Sequence, residues 1–263
     1  MRKLNSHSKS SWDYYMPKNN SIIYRQTKIN RKSIYEMNIN GQTKSKKRIS
    51  AHGEVFTAER EVNAMLDLVK QETERIDSRF LEPACGDGNF LAKILERKLA
   101  AVNKRYGKSY VDYEKYSCFA VTSIYGVDIL MDNVLACQKR MFDIWNKQYT
   151  LICKKEANEE CCKTVKFILA RNILCGNALS LKKVNNEGID LEEPIIFSKW
   201  SPMNSIMIKR EDYRFDEILE AQEAQISFDM VRMEYDDETK SFIPKPIKEF
   251  EPIDYRKVHG YGE

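Results

Sequence analysis

The stretch Arg79-Phe-Leu-Glu-Pro-Ala-Cys-Gly-Asp-Gly-Asn-Phe-Leu91 limits the fold of this 263-residue chain more than any other. It reads as a short strand, Arg79 to Glu82, stopped by Pro83 and followed by a tight turn, Cys85-Gly-Asp-Gly88, that opens a helix. The helix is expected from Asn89 to Tyr106, because Phe90, Leu91, Ile94, Leu95, Leu99 and Val102 recur at helical spacing. Gly86 and Gly88 would let the backbone pass close to a ligand where any Cβ would collide. The N–H groups of the turn and of the helix start would then face the ligand's anionic end.

Strands alternating with helices at this spacing predict an α/β fold with a parallel sheet. Val62, Met65, Leu66 and Val69 predict one amphipathic helix over Glu59 to Ile76. Tyr110 to Thr122 reads as a Tyr-rich connector and Ser123-Ile-Tyr-Gly-Val-Asp128 as a second strand. Ile129 to Tyr149 reads as a helix, Lys166 to Leu174 as a third strand, and Pro194-Ile-Ile-Phe197 as a fourth. From Asp216 onward one helix precedes an extended stretch containing Pro244, Pro246 and Pro252. The expected organisation is an arm over 1–50, a central domain over 51–215 and a helical to extended tail over 216–263.

Charge is distributed unevenly along this plan. The net charge is +4, yet residues 1–50 hold twelve Lys and Arg against two acids, Asp13 and Glu36, so the remainder is mildly acidic. Trp12, Tyr14, Tyr15, Tyr24 and Tyr35 lie among those cations. Such an arm suits contact with a polyanion, and the same composition also describes a solvated, partly disordered terminus. With 42% hydrophobic and 31% charged residues the composition is that of a soluble globular protein. No apolar run is long enough to span a membrane, and the polar start from Met1 to Ser10 does not read as a secretory signal. The seven cysteines form no Cys-x-x-Cys pair and the three histidines lie apart from them, so reduced thiols, no metal and a cytoplasmic location are expected.

Asp128 closes the second predicted strand about forty residues after the glycines. An acid there reads as an acceptor for the two hydroxyls of a ribose, or as an ordinary strand-end or N-cap residue. The run Glu82-Pro-Ala-Cys-Gly-Asp-Gly-Asn-Phe-Leu91 resembles the S-adenosylmethionine motif of the amino-type DNA adenine methyltransferases of restriction–modification systems. His52-Gly-Glu-Val-Phe-Thr57 is similar to the segment that precedes that motif, with Ala58 where the family has proline. Ile173-Leu-Cys-Gly-Asn-Ala-Leu179 resembles the family's third-strand Gly-Asp-Ala-Leu, with Asn177 in place of the acid.

The resemblance covers residues 51 to 180 and implies a Rossmann-like S-adenosylmethionine-dependent methyltransferase fold, a three-layer sandwich that is incomplete here. It implies that Phe56 and Thr57 flank the cofactor, and that Glu82, with Pro83 and Ala84 after it, lies beneath the methionine amino group. It places Gly86 and Gly88 under the methionine and ribose, Asp128 on the ribose, Ile129 over the adenine face, and Asn177 with Ala178 at the adenine amino edge. DNA is the implied partner, and Cys85 receives no nucleophilic role because methylation of an amine needs no covalent enzyme intermediate.

The family's chemistry resides in an Asn/Asp-Pro-Pro-Tyr/Phe loop after the fourth strand, which accepts the amine hydrogens and stacks on the flipped base. No Pro-Pro dipeptide occurs in this sequence, and Trp200-Ser-Pro-Met-Asn204, the nearest candidate, reads as an ordinary turn. The catalytic residues are therefore unassigned. Three expectations remain: a cofactor-binding portion completed by a second polypeptide, a degenerate non-catalytic relative, or an RNA or small-molecule methyltransferase.

Overall fold

In the computed structural model, residues 23–24, 57–203, 206–224, 233–236 and 241–261 are described. A two-residue strand, β1 (Ile23–Tyr24), precedes helices α1 (Glu59–Asp67) and α2 (Lys70–Thr73). The predicted single helix over 59–76 is thus two, broken near Leu68. Strand β2 (Phe80–Glu82) leads through the glycine turn into α3 (Asn89–Tyr106) and α4 (Tyr110–Thr122). Strand β3 (Ile124–Asp128) is followed by α5 (Met131–Cys153), α6 (Glu159–Asn172) and β4 (Ile173–Cys175).

Two sequence expectations fail here. The Tyr-rich connector is helix α4, started by Ser109, whose side chain accepts the Asp112 N–H. It packs against α3, α5 and α6 at once, so it carries no one-sided apolar stripe and its periodicity is weak. The run read as a strand from Lys166 is the second half of α6. Its buried residues Cys161, Thr164, Val165, Ile168, Leu169 and Asn172 follow helical spacing, and Asn158 caps its start.

Strands β2, β3 and β4 form a parallel sheet in that order, and β1 pairs parallel to the outer edge of β2. Side chains alternate across it. Phe80, Ile124 and Ile173 pack with the helices, while Leu81, Tyr125 and Val127 face the opposite side. Both faces are buried, which explains the continuous apolar character of these strands.

What covers the second face differs from the expected fourth parallel strand. After β4 the chain forms an antiparallel hairpin, β5 (Lys182–Val184) with β6 (Asp190–Pro194). A second hairpin follows, β7 (Ile196–Pro202) with β8 (Met207–Arg214), then α7 (Phe215–Ala224). Ile195, Phe197 and Phe215 pack on Leu81, Tyr125 and Val127, and the Tyr125 hydroxyl donates to the Ser198 carbonyl at 3.0 Å. The described order is therefore helices, parallel sheet, antiparallel hairpin, a mixed α/β architecture compatible with a Rossmann-like fold.

The end of the chain belongs to this body. Strands β9 (Met233–Asp236) and β10 (Ser241–Pro244) pair with each other, while β11 (Lys248–Glu249) and β12 (Ile253–Asp254) pair with β8. A final 3₁₀ turn, Tyr255–Gly260, buries Tyr255 and Val258 against the helical layer. The segment expected to be a tail thus contributes to the core. No helix of the described residues is long and apolar enough to cross a membrane.

Candidate functional site

The glycine turn lies at the carboxyl ends of β2 and β3. Cys85 N–H donates to the Val127 carbonyl at 2.9 Å, which ties the turn to β3. Gly176 N–H donates to the Asp128 carbonyl at 3.0 Å, which ties the loop after β4 to the same strand end. In open parallel sheets, ligands bind beyond these ends.

Gly86 and Gly88 have positive φ, +54° and +84°, but different surroundings. A Cβ on Gly86 would meet nothing within 4 Å, so its backbone faces open space. A Cβ on Gly88 would lie 2.5 Å from the Cys137 sulfur of α5. Gly88 is therefore required for packing, a role that the sequence did not show. Gly88 is also the N-cap of α3, with no side chain to cap the helix and no acid in its first turn. The one acid beside this helix start, Asp87 just before the N-cap, is paired with Arg140 of α5 at 3.0 Å.

Asp128 joins the two halves of the site. Its Oδ2 accepts the Gly86 N–H at 2.9 Å, and its Oδ1 accepts the Leu130 N–H at 2.9 Å and the Asn133 side-chain amide at 3.1 Å. It is at once a strand-end anchor and an acceptor at the glycine turn. A carboxylate offers about four lone-pair positions, so Oδ2 retains one. Asn133, 5% exposed, was not singled out in the sequence. Its position in the first turn of the helix after the acid is the signal that would have found it.

The other expected residues distribute as follows. Thr57 is brought to the site because its carbonyl accepts the Asn89 side-chain amide at 2.7 Å, while Phe56 lies outside the described residues. Glu82 is buried at the end of β2, Pro83 is half-buried and Ala84 is exposed. Ile129 is 37% exposed beside Asp128, and Gly188 of the β5–β6 turn sits over it, where an added Cβ would lie 3.6 Å from its side chain. Asn177 is largely occupied: its side-chain oxygen accepts the Leu179 N–H at 3.0 Å and its amide donates to Asp190 at 2.9 Å. Ala178 packs on the apolar cluster beneath.

The Cys137 thiol beside Cys85, together with burial, pushes the Cys85 thiol well above its usual range, so it is a poor nucleophile. Among the described residues no cluster of His, Cys, Asp or Glu could hold a metal ion. The Trp200-Ser-Pro-Met segment is on β7 and just beyond it, remote from the glycine turn. Trp200 donates to Asn172 at 2.9 Å, and Asn172 in turn donates to the Thr122 and Ile124 carbonyls at 3.3 and 3.1 Å, at the amino end of β3.

Comparison of the chain with protein-family models, with curated proteins and with solved structures found no match.

Proposed function

We propose that this chain binds S-adenosylmethionine at the glycine turn and serves as the cofactor-binding portion of a DNA adenine methyltransferase. The observation that carries the reading is the Gly86 N–H bond to Asp128, formed where the Gly86 backbone faces open space. It joins a close-approach turn to a ribose acceptor on the neighbouring strand, as a Rossmann-like nucleoside site requires. The residues present fit the group. The start of α3 suits the methionine carboxylate, the remaining Oδ2 position suits one ribose hydroxyl, and exposed Ile129 suits an adenine face. Asn177 keeps one lone pair on its side-chain oxygen for the adenine amine. The cofactor would supply an electrophilic methyl group on sulfur, and these residues orient it.

The sequence has no Pro-Pro loop, and the nearest candidate sits at the amino end of the sheet. A second polypeptide is therefore proposed to supply the amine-accepting loop and the DNA-reading surface, with the basic arm as a further DNA contact. The arm lies outside the described residues save for β1. The same missing loop favours the second reading, a binding-only relative that transfers no methyl group.

Calorimetry with the folded chain tests the binding. Asp128→Ala should weaken cofactor binding by about 1.5–3 kcal/mol, the scale of a charge-assisted hydrogen bond. Absence of heat at millimolar cofactor from a folded sample would overturn the proposal.

A further inference from the structure

A cavity of about 120 Å³ opens between the parallel sheet and the antiparallel hairpin that covers it. Leu81 and Tyr125 form its floor, and Phe197 and Tyr213 of the antiparallel hairpin with Phe215 of α7 form its wall. The rings are fixed edge to face, Tyr125 to Phe197 at 5.5 Å and Phe197 to Phe215 at 5.1 Å. A cavity of roughly this size, lined by apolar groups, accommodates a single six-membered ring.

Its polar groups are already engaged, with one exception. The Tyr125 hydroxyl donates to Ser198, the Ser198 hydroxyl donates to Asp212 at 2.7 Å, and Lys199 pairs with Glu211 at 3.6 Å. Arg79, half-buried at the amino end of β2, has no ion pair or hydrogen bond among the described residues, and no acid among them lines the cavity. The Arg79 side chain thus borders an apolar, aromatic cavity with no described anion set against it. Its planar fork matches a carboxylate in two parallel hydrogen bonds.

We propose that this cavity binds a small apolar carboxylate of single-ring size, with the ring packed against the cluster of Tyr125, Phe197 and Phe215 and the carboxylate on Arg79. The site is separate from the glycine turn, since Arg79 precedes the amino end of β2 whereas the turn follows its carboxyl end, and the proposal does not depend on the cofactor reading.

Fluorine NMR of 4-fluorophenylacetate with the full chain tests it, with 2-(4-fluorophenyl)ethanol as the neutral counterpart. The acid should bind with a Kd of about 1 mM, as expected for so few atoms. The alcohol should bind about tenfold or more weakly, because it leaves the guanidinium unpaired. Arg79→Met should abolish the preference for the acid without changing the melting temperature, and Arg79→Lys should restore part of it. Equal binding of acid and alcohol, an undiminished preference in Arg79→Met, or no binding to folded protein at tens of millimolar acid would overturn the proposal.

Discussion

At the scale of single residues, two glycines of one turn carry different duties. Alanine at position 86 would keep a left-handed backbone at a cost of about 1 kcal/mol and would meet no neighbour. Alanine at 88 adds a collision with the Cys137 sulfur at 2.5 Å and with its backbone Cα at 3.3 Å, which rotating the cysteine side chain cannot relieve. Gly88→Ala should therefore lose about 2–4 kcal/mol of stability, the sum of backbone strain and overpacking. Urea unfolding of both variants checks this. Gly86→Ala should unfold near the wild-type midpoint yet bind S-adenosylmethionine at least about tenfold more weakly, since its methyl group fills the space proposed for the ligand. Equal loss of stability in the two variants would show that Gly86, too, serves packing alone.

Between elements, Glu114 of α4 is the joint that fastens the end of the chain to the helices. Its buried carboxylate accepts the hydroxyls of Tyr149 on α5 and Tyr255, the latter at 2.9 Å, and Arg256 Nε at 2.7 Å. Burial alone would raise its pKa, but these three donors outweigh it and hold the group below its usual value of 4.5. A depressed carboxylate pKa stabilises the fold fully above the unfolded value, and that contribution disappears as pH falls through the folded one. Glu114→Gln should cost about 1–3 kcal/mol at neutral pH, with Arg256 one-third exposed and partly rescued by water. The difference between wild type and variant should shrink as pH falls below the usual glutamate value of 4.5. Chemical denaturation across that range measures it, and a difference independent of pH would mean that the charge of Glu114 contributes nothing.

For the whole molecule, the sheet's topology bears on catalysis. The chain leaves β4 into antiparallel hairpins, and the loops at the carboxyl ends of β2, β3 and β4 contain no pair of amine acceptors followed by an aromatic residue. Loss of such preorganised contacts costs orders of magnitude in rate even with cofactor bound. The chain by itself should transfer no measurable methyl group from labelled cofactor to DNA. Adding the polypeptide encoded by the adjacent reading frame should restore transfer to adenine. Robust methylation by the chain alone would place the chemistry in a loop outside those named here, and no transfer by the mixture would favour the binding-only reading.

Much of the candidate site was legible in the sequence because it is local. The strand, glycine turn and helix from Phe80 to Tyr106 follow from short-range sterics and periodicity, and Asp128 was found by its place at a strand end. Burial on all sides erased the helical signal of α4, and a run rich in apolar residues hid the second half of α6. The division of labour between Gly86 and Gly88 was not readable, because Cys137 approaches from 49 residues away in sequence. The same holds for the covering of the sheet's second face and for the joint at Glu114, whose partner Arg256 is 142 residues distant. Sequence by itself determined the tight glycine turn and the strand and helix on either side of it. Only the tertiary structure decided which neighbours each residue meets, because those contacts join segments whose separation along the chain leaves no periodic or local trace.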